Sequence, residues 1–243
     1  MSDNLSIYQR LQNDLSDLIQ STPKGSQLPS EPKLAEDLGV SRATLREAMR
    51  TFESQGLIRR QQGRGTFVVK PTQVIESGLE VLESIETMAE KINLDVMMGE
   101  FEIDHIPADA SQAEKLNVKT GAPLVKVCRV IMADEAPVAY LVDILAETIL
   151  GPETLVSKFT GSVLDLLIHF STPSLSISKT EISAIHAPAD VAKALHIQRG
   201  DTLLLLNGLL FNEDGDPVDL SHSYFVPGYF RLHLIRKIGG VNS

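Results

Sequence analysis

Residues Val40 to Val69 read VSRATLREAMRTFESQGLIRRQQGRGTFVV, and this segment is the strongest indication of the fold. Its first half predicts a helix, because apolar residues recur at i, i+3, i+4 and i+7, namely Leu45, Ala48, Met49 and Phe52. Ser41 stands at the expected N-cap and Gly56 at the expected C-terminal stop. Off the apolar stripe lie the polar residues Arg42, Thr44, Arg46 and Arg50.

The second half of the stretch predicts a short basic β-hairpin. Leu57 to Gln61 and Thr66 to Val69 form its strands, and the turn between them is QGRG, with Arg64 between Gly63 and Gly65. An ordinary surface helix with a solvated charged face is the alternative. The arginine between two glycines at the hairpin tip favours a winged helix-turn-helix.

Two further helices precede this unit. Leu5 to Gln20 has an apolar stripe, and Glu31 to Leu38 follows Ser30 as a predicted N-cap and ends before Gly39. We therefore assign residues 1–70 to a winged helix-turn-helix domain.

The charge distribution has two parts. The chain of 243 residues has a net charge of −10, which alone argues against binding to nucleic acid. Residues 1–70 hold 10 basic and 8 acidic residues (+2), whereas residues 71–243 hold 12 and 24 (−12). An acidic body with one basic patch can orient a protein on DNA.

The single cysteine, Cys128, excludes an internal disulfide, and with no signal or membrane segment evident we expect a cytoplasmic protein.

The remainder predicts an α+β domain with an internal repeat. We expect a linker at residues 71–90 and a second domain at residues 91–243. Five positions recur 79 residues later in that domain: Ile106, Ala113, Leu116, Gly121 and Leu124 match Ile185, Ala192, Leu195, Gly200 and Leu203. Each set reads as a helix, a glycine turn and a β-hairpin, with strands Leu124–Ala133 and Val138–Leu145, then Leu203–Asn212 and Val218–Val226. A helix at Ser162–Phe170 lies between the halves, and a cleft between related halves is a usual place for a small ligand.

Arg129 is the leading candidate for ligand binding. It alternates with Val125, Val127 and Ile131 on an otherwise apolar strand face, so it needs either a ligand anion or a buried carboxylate. His222 and Tyr224 share a strand face that fits a cleft wall, with sheet packing as the alternative, and Ser162 can cap a helix or help bind an anion. The histidines have no metal-site spacing, and no nucleophile–base set or cofactor motif is evident.

The segment LPSEPKLAEDLGVSRATLREAMRTFESQGLIRRQQGRGTFV resembles the winged helix of the GntR family of bacterial transcription regulators. The second domain is similar to the UTRA domain of the HutC-like branch, whose antiparallel-sheet fold is shared with chorismate lyase. The resemblance carries DNA contacts onto Arg42, Thr44, Arg46 and Gly63. Family members usually have arginine where this chain has Pro32, so Lys33 is the substitute phosphate contact. The full set that we expect at DNA is Lys33, Arg42, Thr44, Arg46, Arg50, Gly63, Arg64 and Gly65.

The resemblance also implies an effector site. We expect effector contacts from Ser84, Arg129, Ser162, His222 and Tyr224. Sugar-phosphate sensors of this branch present a second arginine and a glutamate where this chain has Ile131 and Leu141, which favours a singly charged anion. The expected protein is a homodimeric repressor on an inverted-repeat operator, released by a small anionic metabolite. The alternatives are a chorismate-lyase-like enzyme and a regulator that senses only partner proteins, its cleft filled by side chains.

Overall fold

The computed structural model describes residues 7–54, 57–61, 64–69, 74–133, 135–159, 161–170 and 173–235. The chain forms two compact units. The first comprises residues 1–74 with 226–229, and the second comprises residues 75–225 with 230–243. No helix among the described residues is long and apolar enough to cross a membrane.

The first unit is three helices and a hairpin. The helices are α1 (Ile7–Ser21), α2 (Glu31–Asp37) and α3 (Arg42–Ser54), and the strands are β1 (Ile58–Gln61) and β2 (Gly65–Val68). The strands pair antiparallel, with Ile58 opposite Val68. The predicted stripe of α3 is buried with apolar residues of α1, α2 and the hairpin, which confirms its periodicity.

The ends of the short helices depend on local hydrogen bonds. Ser41 accepts a hydrogen bond from the Thr44 backbone N–H at 3.1 Å, as an N-cap does. Ser30 occupies the N-cap position of α2 but its side chain makes no capping bond, contrary to expectation. Gly39 ends α2 with φ +65°, a conformation that glycine adopts without strain. Gly56, the predicted stop of α3, lies outside the described residues.

The second unit is built on one six-stranded antiparallel sheet. Its strands are β4 (Val96–Pro107), β5 (Pro123–Ala133), β6 (Ala136–Ala146), β7 (Leu175–His186), β8 (Thr202–Asn212) and β9 (Pro217–Phe225). They lie in the order β4-β5-β6-β9-β8-β7. The helices are α5 (Ala110–Lys115), α6 (Pro152–Lys158), α7 (Val163–Phe170) and α8 (Ala189–Ala194). The α+β class is confirmed.

The internal repeat is visible in the backbone. The units β4-α5-β5-β6 and β7-α8-β8-β9 meet where β6 pairs with β9. Gly121 N–H donates to Ala108 at 2.8 Å, and Gly200 N–H donates to Ala187, 79 positions later, at 3.1 Å. Asn117 and His196 likewise share positive φ angles of 52° and 54°. Both halves therefore use the same helix-to-strand turn.

The predicted linker at residues 71–90 is in part regular structure of the second unit. Strand β3 (Ile75–Gly78) pairs parallel with β10 (Phe230–His233), and helix α4 (Ile85–Glu90) follows it. A partner strand about 150 residues away in sequence leaves no local signal, so alternation around residue 75 does not reveal this pairing. Residues 70–73 lie outside the described residues.

The sheet has two differently covered faces. On one face, α5 packs against β9 and α8 against β6, over an apolar cluster that includes Leu124, Cys128 and Val142. On the other face, Val125, Val127 and Leu145 pack with residues of α6 and α7, including Leu155 and Leu167. The second face also carries Arg129, by the alternation of strand side chains.

Candidate DNA-binding surface and effector site

The recognition helix α3 presents its arginines away from the core. Arg42, Arg46 and Arg50 are exposed, whereas the alternate stripe from Leu45 to Phe52 is buried. Thr44 is half-buried and its hydroxyl lies 2.8 Å from Ser41 Oγ. Three guanidinium groups on one exposed side of a helix give the electrostatic and hydrogen-bonding groups that DNA binding requires.

Arg46 is held in position by a carboxylate of α2. Its Nε donates to Glu31 Oε2 at 2.6 Å, while 60% of its side chain stays exposed. Arg60 Nε lies 3.6 Å from the other oxygen of Glu31. Since Nε is occupied, the two terminal nitrogens of Arg46 are the ones left to face a guanine edge. Arg50, by contrast, pairs with exposed Glu47, at 3.3 Å.

The wing places an exposed arginine at its tip. Arg64 is exposed, and its carbonyl accepts a hydrogen bond from Gln27 Nε2 at 2.7 Å. Gly65 has φ +113°, and a Cβ there would lie 2.2 Å from the same Gln27 nitrogen. Glycine is therefore favoured at this tip by its backbone conformation, whereas a Cβ would only require the flexible end of the Gln27 side chain to move. Gly63 lies outside the described residues.

Lys33 is engaged by acidic neighbours on α2. Its Nζ lies 2.8 Å from Asp37 and 3.7 Å from Glu36, and all three side chains are exposed. The hydrogen bond that Lys33 donates to Asp37 raises the pKa of Lys33 above its ordinary value. An exposed pair of this kind is weak, so the ammonium group remains available to a phosphate.

The second unit contains a cavity of about 550 Å³. Its walls are the Arg129 face of the sheet and the segment from Ser77 to Ile85. Predicted Ser84 lines it, accepting from the Thr87 N–H at 3.0 Å as the N-cap of α4. Polar groups, including Asp143, Asp219, Ser221 and Ser223, share the lining with apolar side chains such as Leu206.

Arg129 is paired with carboxylates of the chain itself, the second of the two alternatives that its apolar strand face left open. Its side chain is 5% exposed, and Nη1 donates to Glu86 Oε1 at 3.2 Å. Nε lies 3.9 Å from Asp143 Oδ2, which is an ion pair but too long for a hydrogen bond. The sequence missed both partners, since Glu86 is in the predicted linker and Asp143 is on the neighbouring strand.

The carboxyl groups around Arg129 resist ionisation. Burial raises the pKa of Asp143 and of Glu86, and the nearby guanidinium offsets this only in part. Burial raises the pKa of Asp219 well above its ordinary value, and the neighbouring charge of Asp143 raises it further. Three carboxyl groups therefore lie near a single guanidinium group, that of Arg129.

His222 and Tyr224 lie on the opposite face of the sheet, away from the cavity. His222 is opposite Val142 and Tyr224 opposite Tyr140, on the face that α5 and α8 cover. His222 Nδ1 is 2.7 Å from Asn207 Oδ1, and burial lowers its pKa. The predicted shared site with Arg129 is therefore wrong for these two. The register of β6 with β9 brings their neighbours Ser221 and Ser223 to the cavity instead.

Ser162 serves as a helix cap. Its hydroxyl accepts from the Asp165 N–H at 3.1 Å, and the residue is buried. It is not among the residues that line the cavity. Its neighbour Gly161 approaches the Glu86 carboxylate, since a Cβ on Gly161 would lie 3.7 Å from Oε1. Ser162 is thus a helix cap, and the predicted contact with an effector at the cavity wall is not seen.

The arrangement does not resemble a metal centre. Among the described residues no group of His, Cys, Asp and Glu side chains is placed to hold a metal ion. The cavity instead offers carboxylates, hydroxyls and aliphatic surface, a combination suited to a small organic molecule.

Comparison with known proteins agrees with both units. Residues 4–68 match the family described as bacterial regulatory proteins, gntR family, and residues 101–231 match the UTRA domain. The HTH-type transcriptional repressor NagR of Bacillus subtilis (strain 168) is 30% identical over 201 residues, 82% of this chain and 80% of that protein. The histidine utilization repressor of Klebsiella aerogenes is 27% identical over 204 residues, 82% of each chain.

A solved structure supports the fold. The crystal structure of PhnF from Mycobacterium smegmatis matches with a TM-score of 0.62 at 22% identity, covering 94% of this chain and 100% of that one. The relatives named here are transcription regulators, so the enzyme alternative loses its support.

Proposed function

Since the chain belongs to the GntR family of bacterial regulatory proteins and carries a UTRA domain, it is a DNA-binding transcription regulator, and we propose that it acts as a homodimeric repressor released by a small effector. The named relatives are repressors. We propose that it acts in the cytoplasm, where the DNA that such a regulator binds would lie. The cavity beside Arg129 is the observation that supports control by a small effector. A regulator that senses only partner proteins would instead have this cleft filled by side chains.

The DNA-binding groups are those of α3 and the wing. Arg46 reads a base edge with its terminal nitrogens, while Arg42, Thr44, Arg50 and Arg64 contact the backbone or adjacent bases. One winged helix makes few contacts, and two copies related by a twofold axis multiply the discrimination. An inverted-repeat operator follows from that symmetry. Lys33, Gly63 and Gly65 complete the proposed interface.

The outer strands of the sheet support a dimer. Strands β4 and β7 are the two edges, and they carry exposed apolar side chains: Met97, Met98, Phe101, Ile177 and Ile182. Long apolar edges favour pairing with another chain, and a second copy is the partner always present. We therefore place the dimer contact in the second unit.

The effector acts through the start of the second unit. Residues Ser77 to Ile85 line the cavity, and this segment follows the DNA-binding unit directly in sequence. An effector that prefers one arrangement of this segment shifts the spacing of the two winged helices, since coupling requires unequal affinity for the two states. Ser84 and Arg129 lie at the effector, with Ser162 behind them.

A reporter assay tests this proposal. The region upstream of the gene is fused to a reporter, and expression is compared with and without the wild-type protein and the Arg46→Ala variant. We expect repression by the wild type and derepression with the variant. Equal expression in all three strains, with both proteins folded and present, would overturn the assignment as a repressor at this site.

A further inference from the structure

The charged groups at the cavity are mostly acidic. Of the residues that line it, Glu80, Glu83, Asp143 and Asp219 are acidic, whereas Arg129 is the one basic residue among them. Glu83 pairs with Lys91, and Arg129 pairs with Glu86 and Asp143. An entering anion would therefore have to displace a carboxylate from Arg129 and lie beside another.

One oxygen of the buried Asp219 carboxyl group lacks a hydrogen-bond donor among the described residues. The residue is 6% exposed, and its Oδ1 is buried without a hydrogen-bond partner among the described residues. Asp143 Oδ2 and Arg129 Nε, separated by 3.9 Å, are also buried without a hydrogen bond. Buried polar groups in native proteins are normally satisfied, and an unpaired buried carboxylate is costly. A donor delivered by a ligand would satisfy the two carboxyl oxygens, Asp219 Oδ1 and Asp143 Oδ2.

The internal repeat explains why there is room for that ligand. Gly208 lies 79 positions after Arg129 and occupies the equivalent place in the second half. It carries no side chain, and a Cβ there would lie 2.5 Å from Ser221 Oγ. Gly208 lines the cavity, so it contributes no side chain to the space that the arginine side chain fills in the first half, although the Ser221 hydroxyl takes the room of a Cβ. Around it lie the hydroxyl groups of Ser178, Thr180 and Ser223.

We propose that the effector is an organic cation whose ammonium group binds against Asp219 and Asp143, with its polar remainder along the hydroxyl-lined wall. This rests on the proposed function, since it names the chemistry of the same effector site. An ammonium group supplies the donors and the positive charge that the two carboxylates lack. It also leaves the pair between Arg129 and Glu86 intact.

The affinity of such a cation rises with pH. Burial and the charge of Asp143 on β6 raise the pKa of Asp219, and a backbone hydrogen bond from Ile144 and the charge of Arg129 on β5 offset this only in part. Below that pKa the carboxyl group carries a proton, which the cation must displace. Binding therefore releases a proton, and calorimetry in two buffers of different ionisation enthalpy measures it.

The test is a charge-sorted panel of primary metabolites, screened by the shift in melting temperature of the full-length protein. The panel contains amines, neutral polyols and anions without an amine, in comparable numbers. We expect stabilising compounds to carry an ammonium group. Their affinity should fall at least tenfold in Asp219→Asn and stay unchanged in the matched control Asp214→Asn, which alters an exposed turn. Asp143→Asn provides a second variant.

The outcomes separate the two proposals. Stabilisation only by anions would overturn the cationic effector while supporting effector control through this cavity. Ammonium compounds that bind Asp219→Asn and Asp143→Asn as tightly as wild type would overturn the assigned carboxylates. No stabilising compound in any class would overturn the effector site itself, and the cation proposal with it.

Discussion

Two arginines of this chain show how the same residue type serves two different purposes. Arg46 is mostly exposed and is held by one carboxylate, Glu31, so its terminal nitrogens remain free for another partner. Arg129 is buried and lies between Glu86 and Asp143. The first is proposed to contact DNA, and the second pairs with carboxylates at a cavity. The sequence predicted the first role from helical spacing, but the partners of Arg129 come from distant segments.

Arg46→Ala should weaken binding to the operator by about 1–3 kcal/mol, because a bidentate contact to a base edge is lost. Titration of labelled operator, followed by fluorescence anisotropy, measures this. Arg199→Ala, an exposed arginine of the second unit, is the matched control. Equal operator affinity for both variants would show that α3 does not read this DNA.

Arg64→Ala should behave differently, since the wing tip is proposed to contact the DNA backbone. Affinity should fall about equally on operator and unrelated DNA, and the slope of log affinity against log salt should decrease by about one. Loss confined to the operator would instead assign Arg64 to base recognition.

Substitutions at the cavity should change stability in opposite directions. Arg129→Ala leaves Glu86 and Asp143 without their cation and should cost about 3–5 kcal/mol of unfolding free energy. Asp219→Asn removes a buried carboxyl group whose Oδ1 has no hydrogen-bond partner among the described residues, and it should raise the melting temperature at neutral pH.

The raised pKa of Asp219 determines how its contribution to folding stability changes with pH. A carboxyl whose folded pKa is raised stabilises the fold below its ordinary pKa, and this contribution is lost as pH rises through the folded value. The advantage of Asp219→Asn over wild type should therefore grow from pH 5 to pH 8. An advantage that shrinks over this range, in denaturation series at matched ionic strength, would contradict the burial of an ionisable Asp219.

Among the helices and strands, local periodicity predicts those features whose pattern lies within one stretch of sequence. The stripe of α3, the two hairpins and the repeat were all readable, because side-chain alternation and glycine turns are local signals. The placement of His222 required the register between β6 and β9, which joins the two halves and has no local signature. The parallel pair of β3 with β10 was missed for the same reason.

Strand β8 offers a test of the space beside the sheet. Gly208→Ala should cost about 1–3 kcal/mol, since the added Cβ overlaps Ser221 Oγ in a packed site. Ser221→Ala in the same chain should recover much of this cost, because it removes the overlapping atom. Chemical denaturation of both single variants and the double variant measures the coupling. Strictly additive costs would show that Gly208 and Ser221 do not contact one another.

For the whole molecule, the charge asymmetry and the two units agree with a regulator that contacts DNA at one unit and senses at the other. The acidic second unit, at −12 for residues 71–243, repels phosphate, whereas the basic patch of α3 and the wing attracts it. The matches to the gntR and UTRA family models show the family of the chain. The dimer and its inverted-repeat operator are proposals that rest on twofold symmetry.

Binding of a dimer to an inverted repeat is tested by a footprint of the full-length protein on the DNA upstream of its gene, with Arg46→Ala in parallel. We expect two protected half-sites in inverted orientation, with centres about one or two helical turns apart, and loss of both with the variant. A single protected half-site, a direct repeat, or equal protection by Arg46→Ala would contradict it.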